Sequence, residues 1–471
     1  MSSAVTLPII IQGGMGAGVS SWQLARTVSC AGQIGVVSGV GLPLLLSRRL
    51  QLGDPSGAWR RALAHFPVPA IADRILGDHF GRGRAPFKPI PMHAADDRAR
   101  LLELTVAANF CEVWLAKEGH GGIVGINHLE KMQLPILPSL YGAMLAGVDA
   151  VLMGAGIPRE IPGVLDRLAT HAAAAISLHV EGAMPGDDFR LRFDPRIIGA
   201  GAELRRPLFL AIVASNVLAA TMVRKSSGRV DGLVIEGPTA GGHNAPPRGP
   251  LVLNVCGEPV YGPRDEVDLE AIRALGVPFW LAGGYATPER LRQAVAAGAQ
   301  GIQVGTAFAF SRESGLDEGI KHALLLKSRR GEAEVFTDPS ASPTGFPFKV
   351  ARLEETLSER DVYEARPRVC DLGYLRRPYR KPDGTLGYRC PAEPVDAYIR
   401  KGGRAEETCE RKCLCNALTA NIGLPQQRDS GYVEPPLVTS GDDLVHLARF
   451  LKPGEDSYSA DVVVRQLLEL I

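Results

Sequence analysis

Two apolar segments that end in glycine contain the residue types needed to bind a phosphate group. Each reads as a β-strand followed by small residues: Pro278-Phe-Trp-Leu-Ala-Gly-Gly284 and Gly301-Ile-Gln-Val-Gly-Thr306. Glycine lets the backbone approach an anion, consecutive amides form a concave anion site, and a helix starting near Thr287 adds its positive end. TIM-type barrels often carry a phosphate site after their last two strands, so we favour this interpretation over simple turns. The anion predicted here is the phosphate of flavin mononucleotide (FMN), held by Gly283, Gly284, Gly305 and Thr306.

Two other strand ends carry residues that suit a flat aromatic ring. Gly13, Gly14 and Met15 follow the apolar run Pro8 to Gln12. The glycines let amides approach the ring, and the unbranched methionine can pack against its edge. Asn127 adds a carboxamide that both donates and accepts hydrogen bonds. An ordinary tight turn at the glycines and a turn-forming role for Asn127 remain alternatives.

A histidine in a glycine loop is the candidate catalytic residue. The loop Gly241-Gly242-His243 follows the strand-like run Gly232 to Glu236. At the carboxyl end of a barrel strand it would place an imidazole beside a bound ring, and an ordinary pKa near neutrality would suit proton transfer. The alternative is a histidine that only forms structural hydrogen bonds.

The strand and helix signals alternate along the chain, which predicts a parallel α/β sheet closed as a (β/α)8 barrel. We expect the FMN-binding barrel over residues 1–345, with insertions after strands 2 and 4 at residues 46–93 and 177–205. A Cys-containing extension is expected over residues 346–471. The eight strands are predicted at Pro8 to Gln12, Gly35 to Ser38, Gly122 to Ile126, Ala150 to Met153, Leu208 to Val213, Gly232 to Glu236, Pro278 to Ala282 and Gly301 to Val304.

Five cysteines cluster in the predicted extension, among glycine, proline and charged residues. Four of them could bind Zn²⁺ or an iron–sulfur cluster, although the spacing matches no standard Cys-x2-Cys pair. Reduced structural thiols and disulfides are the alternatives. Cys370, Cys390, Cys413 and Cys415 are the preferred metal set, because these four lie in motifs that resemble those of the family described below and Cys409 does not.

Composition fits a cytoplasmic enzyme. The chain has 471 residues and a formal net charge of +1, which gives no global case for binding nucleic acid or a membrane. Its first residues do not resemble a signal peptide. The sequence leaves a homodimer open.

The glycine motifs together resemble a known superfamily. Gln12-Gly-Gly-Met15, Ala240-Gly-Gly-His243 and Gln303-Val-Gly-Thr306 occur in the order seen in the nitronate monooxygenase (2-nitropropane dioxygenase) superfamily, which includes flavin-dependent enoyl-ACP reductases. Within it the chain looks most like the PfaD family, enoyl reductases that act in trans with polyunsaturated fatty acid and polyketide synthases. Ser342-Pro-Thr-Gly-Phe-Pro-Phe-Lys349 and Lys412-Cys-Leu-Cys-Asn416 are among the motifs that carry this narrower likeness.

The resemblance implies an FMN-dependent oxidoreductase with His243 in the active site. The first expectation is an enoyl reductase that passes hydride from NAD(P)H through FMN to an enoyl thioester on an acyl carrier protein. The alternatives are a nitronate monooxygenase that oxidises alkyl nitronates with O2, and a non-catalytic flavin-binding scaffold of a synthase complex. The extension, which minimal nitronate monooxygenases lack, favours the reductase. One departure is that Thr239 stands where nitronate monooxygenases commonly have a glutamate.

An arginine-rich stretch suggests a docking site for an acidic carrier protein. The alternative is a solvated surface without a partner. The basic residues are Arg48, Arg49, Arg60, Arg61, Arg74, Arg82, Arg84 and Lys88.

Overall fold

A computed structural model of the chain describes residues 7–81, 83, 86–199 and 201–470. Arg82 and Arg84 of the arginine-rich stretch lie outside these residues.

The strands follow in chain order. They are β1 (Ile10–Gln12), β2 (Gly35–Ser38), β3 (Val124–Leu129), β4 (Ala150–Gly154), β5 (Ala174–Ser177), β6 (Arg190–Phe193), β7 (Leu208–Val213), β8 (Gly232–Glu236), β9 (Phe279–Ala282), β10 (Gly301–Val304), β11 (Val335–Asp338), β12 (Phe348–Ala351), β13 (Arg377–Arg380) and β14 (Leu386–Arg389).

The α-helices alternate with the strands through the first two thirds of the chain. They are α1 (Trp22–Cys30), α2 (Leu42–Gln51), α3 (Ala58–Ala64), α4 (Pro69–His79), α5 (Ala99–Lys117), α6 (Ile136–Leu145), α7 (Ile161–Ala169), α8 (Asn216–Lys225), α9 (Leu269–Arg273), α10 (Pro288–Ala296), α11 (Thr306–Ala309), α12 (Glu318–Arg330), α13 (Arg360–Ala365), α14 (Val395–Arg400), α15 (Leu414–Ala420) and α16 (Ala460–Leu468). Short 3-10 helices cover Pro195–Ile197, Pro263–Asp265, Ala405–Thr408 and Asp442–Phe450.

Eight parallel strands of the described chain form one sheet, in the order β1-β10-β9-β8-β7-β4-β3-β2. The sheet closes on itself through a parallel bridge between Ile11 and Ile34, beside which the Gln12 amide donates to the Ile34 carbonyl at 2.9 Å. The predicted (β/α)8 barrel is therefore confirmed. The insertions after strands 2 and 4 and the C-terminal extension are also present.

Side chains alternate between the barrel lumen and the outer layer, because successive residues of a strand point to opposite faces. Val234 and Trp280 belong to the small apolar cluster that fills the lumen. Leu233 and Ile235 belong to the larger core between strands and helices. The register of each strand therefore determines whether a polar residue at its carboxyl end points into the lumen or into the helix layer.

The bounds of the third strand differ from the prediction. Strand β3 continues to Leu129, so Asn127 lies within the strand and pairs in register with Ser38 and Leu152. Helix α7 begins at Ile161 and has Pro162 in its first turn. The chain between β4 and β7 contains the antiparallel pair β5–β6.

The C-terminal extension packs directly on the barrel. Its residues Leu424, Val438 and Val463 belong to the same apolar core as the barrel helices. The antiparallel hairpin β11–β12 spans residue 345, where we placed the domain boundary, and that boundary stays a prediction. No helix among the described residues has the length and apolar character that a membrane crossing requires.

Several arginines in the described part of the arginine-rich stretch are buried or paired with acidic residues. Arg48 is 1% exposed and donates to the Leu424 carbonyl at 2.6 Å, which ties the first insertion to the extension. Arg61 pairs with Glu118 at 2.9 Å, and Arg74 pairs with Glu103 at 2.7 Å. The expected docking surface is reduced because these guanidinium groups already have partners.

The lumen packing yields a stability prediction. Trp280 is fully buried in the lumen, and its Nε1 donates to the Pro8 carbonyl at 3.1 Å. We expect Trp280→Ala to lower the free energy of unfolding by about 3–5 kcal/mol, because it leaves a cavity. Denaturant titration followed by circular dichroism measures this, with Val295→Ala at an exposed position of α10 as the control. Equal stability of the two variants would contradict the lumen assignment.

Candidate active site

A cavity of about 1240 Å³ opens at the carboxyl ends of the barrel strands. Its volume exceeds the roughly 300–1,000 Å³ typical of a single small-molecule pocket, so it has room for a cofactor and a second ligand. The structure brings all the predicted catalytic and FMN-binding residues to its wall: Gly13, Gly14, Met15, Asn127, Gly241, Gly242, His243, Gly283, Gly284, Gly305 and Thr306.

The cavity floor is polar, although the lumen below it is apolar. Glu236 lies two residues beyond the lumen residue Val234, so its side chain is directed to the same face. Asn127 and Gln303 reach the floor from β3 and β10. The buried atoms Asn127 Oδ1 and Gln303 Oε1 have no hydrogen-bond partner. Since unpaired buried polar atoms are unfavourable, this floor fits a ligand that carries polar ring atoms, such as a flavin.

Glycines form the cradle, and a Cβ at Gly14 or Gly283 would be in close contact with neighbouring side chains. Gly283 and Gly284 have φ angles of 93° and 72°, which favour glycine, and their amide groups donate to no acceptor in the described chain. A Cβ on Gly14 would lie 2.3 Å from Asn127 Cβ. Consecutive free amides in this conformation suit an anion, so the residues present fit the FMN phosphate.

His243 is held by the segment around β12. Its Nε2 lies 2.7 Å from Ser342 Oγ, and its ring meets Phe348 edge-on at a centroid distance of 4.9 Å. Burial, aided by the charge of Lys131, lowers the pKa of His243 to about 4. The imidazole is therefore neutral at physiological pH, and our expectation of a near-neutral pKa was wrong because it ignored desolvation.

Residues 202–340, which include the Gly-Gly-His loop and both predicted phosphate-binding turns, match the family model described as nitronate monooxygenase. This part of the chain is similar to the nitronate monooxygenases. The matching family model and the relatives named below both indicate an oxidoreductase, which is the enzyme class that the sequence predicted.

Two curated relatives and one solved structure illustrate the similarity. The chain is 24% identical over 254 residues to the (3aS,4S,5R,7aS)-5-hydroxy-7a-methyl-1-oxo-octahydro-1H-indene-4-carboxyl-CoA dehydrogenase of Mycobacterium tuberculosis, covering 49% of this chain and 65% of the relative. It is 34% identical over 97 residues to a probable nitronate monooxygenase of Staphylococcus haemolyticus, covering 20% and 26%. The matched region thus covers less than two thirds of either relative. FabK from Thermotoga maritima is 17% identical, with 98% and 92% coverage and a TM-score of 0.49.

Thr239 stands where nitronate monooxygenases commonly have a glutamate, and another carboxyl group lies nearby. Thr239 packs against the cradle, where its Oγ1 lies 2.9 Å from the position of a Cβ on Gly283. Three residues earlier, Glu236 lines the cavity, and its carboxyl group has no hydrogen-bond partner in the described chain. Burial raises the pKa of Glu236 to about 7. Glu236 therefore exchanges a proton near neutral pH, which is the property expected of a general acid or base.

Several residues that line the cavity were not predicted from the sequence. Glu236 read as the last residue of a strand, and only the alternation seen in register shows that it faces the cavity. Ser342 was recognised only as part of a family-like motif, with no predicted contact to His243. The segment 438–441 lines the cavity from almost 200 residues away in the chain, and no local pattern signalled it.

The four predicted metal-binding thiols lie together, away from the cavity at the carboxyl ends of the barrel strands. Cys370, Cys390, Cys413 and Cys415 line one small cavity of about 10 Å³, and Cys370 and Cys390 share a hydrogen bond. Cys409 is exposed. Within the residues described, no group of three or more His, Cys, Asp or Glu side chains is arranged to hold a metal ion. The metal site stays a prediction.

The pKa of Glu236 generates a stability prediction. Between its ordinary pKa and about 7, the folded protein retains a proton that the unfolded chain has lost, so stability falls as pH rises through this window. Glu236→Gln carries no such proton. We expect the melting temperature of the variant, minus that of the wild type, to increase from about pH 5 to about pH 8 in ligand-free protein. A difference independent of pH would show that Glu236 titrates normally.

Proposed function

We propose that this chain is an FMN-dependent enoyl reductase that acts on an enoyl thioester. The observation that carries the proposal is the cavity at the barrel mouth, where a glycine cradle for phosphate adjoins a floor of unpaired polar atoms. When bound, FMN supplies the two-electron chemistry that connects NAD(P)H oxidation to reduction of a carbon–carbon double bond. The remaining cavity volume accommodates the acyl substrate.

The reaction adds one hydride to the β-carbon and one proton to the α-carbon of the enoyl thioester. Glu236 is the proposed proton donor, because its carboxyl group lines the cavity without a partner and is partly protonated near neutral pH. The carboxylate left behind regains a proton from water through the open cavity.

His243 serves a different role in this proposal. A neutral imidazole cannot supply the proton readily, but its N–H can donate to the thioester carbonyl. Ser342 Oγ accepts from the Thr344 amide at 3.2 Å and lies 2.8 Å from Thr344 Oγ1, so when Thr344 Oγ1 donates to it, Ser342 can donate its own hydrogen to His243 Nε2. With that tautomer, Nδ1 carries the hydrogen that polarises the carbonyl.

A thioester substrate is supported by the name of the mycobacterial relative, a carboxyl-CoA dehydrogenase. We propose an acyl carrier protein as the carrier of the thioester and the PfaD-like role in polyketide or polyunsaturated fatty acid synthesis, on the sequence motifs given above. NAD(P)H as reductant, the cytoplasmic location and the homodimer stay predictions.

Oxidation of alkyl nitronates with O2 is the second candidate, favoured by the names of the matching family model and the staphylococcal relatives. Against it, Thr239 replaces the carboxylate common in that pattern. The non-catalytic scaffold is disfavoured, because a titratable carboxyl and a positioned histidine both line the cavity.

Anaerobic stopped-flow absorbance tests the proposal. Purified protein loaded with FMN is mixed with NADPH, and then with crotonyl or a longer enoyl thioester. We expect NADPH to bleach the flavin absorbance and the thioester to restore it, since the thioester accepts the electrons. If NADPH leaves the absorbance unchanged while an alkyl nitronate bleaches it, the protein is a nitronate monooxygenase.

The proton donor is tested in the same assay. Glu236→Gln should slow the thioester-dependent recovery of absorbance about 100-fold, the lower end for loss of a general acid, and leave the NADPH step within a few fold. The exposed Glu406→Gln is the matched control. Recovery at the wild-type rate in Glu236→Gln would exclude Glu236 as the donor.

A further inference from the structure

A segment of the extension crosses the cofactor end of the barrel. Residues 438–443, named here the C-terminal strap, run past the Gly-Gly-His loop and the turn after β10. Val438 is 1% exposed and Ser440 is 4% exposed, so the strap is packed in place rather than lying on the surface. Val438, Thr439, Ser440, Gly441 and Asp443 all line the cavity.

Three hydrogen bonds connect the strap to the predicted phosphate-binding loops. The Gly242 amide donates to Thr439 Oγ1 at 3.0 Å. The Gly441 amide donates to Thr306 Oγ1 at 2.9 Å, and the Asp442 amide donates to the Thr239 carbonyl at 3.1 Å. Because Thr306 Oγ1 accepts from the strap, its own hydrogen remains available to donate to a ligand in the cavity.

The packing between strap and loops leaves no space for a methyl group. A Cβ on Gly441 would lie 2.9 Å from both the Thr239 carbonyl oxygen and Thr306 Oγ1. A Cβ on Gly241 would lie 2.7 Å from the Gly441 amide nitrogen. Neither glycine has a positive φ, so the restriction is one of space rather than of backbone conformation.

The strap is anchored through β12. Thr439 Oγ1 donates to the Lys349 carbonyl at 2.7 Å, and Lys349 Nζ pairs with Asp442 at 2.5 Å. Lys349 is 4% exposed and also donates from its backbone amide to the Gly242 carbonyl at 2.9 Å. The same strand therefore fixes both the strap and the Gly-Gly-His loop.

We infer that the C-terminal strap is the outer wall of the FMN phosphate pocket, so that the phosphate is enclosed between barrel and extension. This inference rests on the proposed function, because it takes FMN as the ligand. The strap contributes the Ser440 amide, which donates to no acceptor in the described chain, and it orients the Thr306 hydroxyl. The extension is thus part of the cofactor site.

Comparison of FMN with riboflavin tests the inference, because riboflavin has the same ring without the phosphate. Quenching of flavin fluorescence gives the dissociation constant of each ligand for the apoprotein. We expect Gly441→Ala to weaken FMN binding at least tenfold and to change riboflavin binding less than twofold. Gly121→Ala is the matched control, since a Cβ there meets nothing within 4 Å and the residue lies outside the cavity.

Thr439→Val provides a second variant, which removes the Oγ1 anchor with almost no change in volume. It should also weaken FMN selectively, and it decides the question if Gly441→Ala does not fold by circular dichroism. Wild-type affinity for FMN in the folded variants, or equal weakening of FMN and riboflavin, overturns the inference. If the wild-type apoprotein binds neither flavin, it is the proposed function that fails.

Discussion

The site depends on the alternation of side chains along parallel strands in a closed barrel. Residues i and i+2 of a strand point to the same face. The residue two positions beyond the last lumen-filling side chain therefore points into the mouth of the barrel. Val234 fills the lumen, and one step above it on the same strand the side chain is the polar Glu236. Asn127, Glu236 and Gln303 reach the same floor from three strands that are far apart in sequence. A one-residue slip in register would direct each of them into the helix layer instead.

Desolvation at this mouth acts in opposite directions on its two titratable groups. Burial makes the charged form unfavourable in both cases, so the pKa of Glu236 rises to about 7 and that of His243 falls to about 4. Near neutral pH the imidazole of His243 is therefore uncharged, and the carboxyl group of Glu236 is partly protonated. The same cavity thus contains a carboxyl group that can donate a proton and an imidazole that carries no positive charge.

Much of the fold could be predicted because strand ends in this chain are marked by glycine, and apolar runs separate them at βα spacing. The cradle at Gly283 and Gly284 was visible for the same reason. The pKa of His243 could not be predicted, since it depends on burial beneath Phe348 and on Lys131, which come from distant parts of the chain. The same limit applies to the arginine-rich stretch, because composition shows its charge but not that Arg48 is buried against the extension.

The contact between Gly242 and Thr439 joins residues 197 positions apart. Because chains emerge from the ribosome amino terminus first, every barrel strand is synthesised before the strap exists. The last barrel strand ends at Val304 and the strap begins at Val438, so at usual elongation rates of about 5–20 residues per second the complete barrel has no strap over its mouth for roughly 7–27 seconds. The order of synthesis thus gives the cofactor end of the barrel an interval in which it is accessible from outside, before the chain's own later residues cover it.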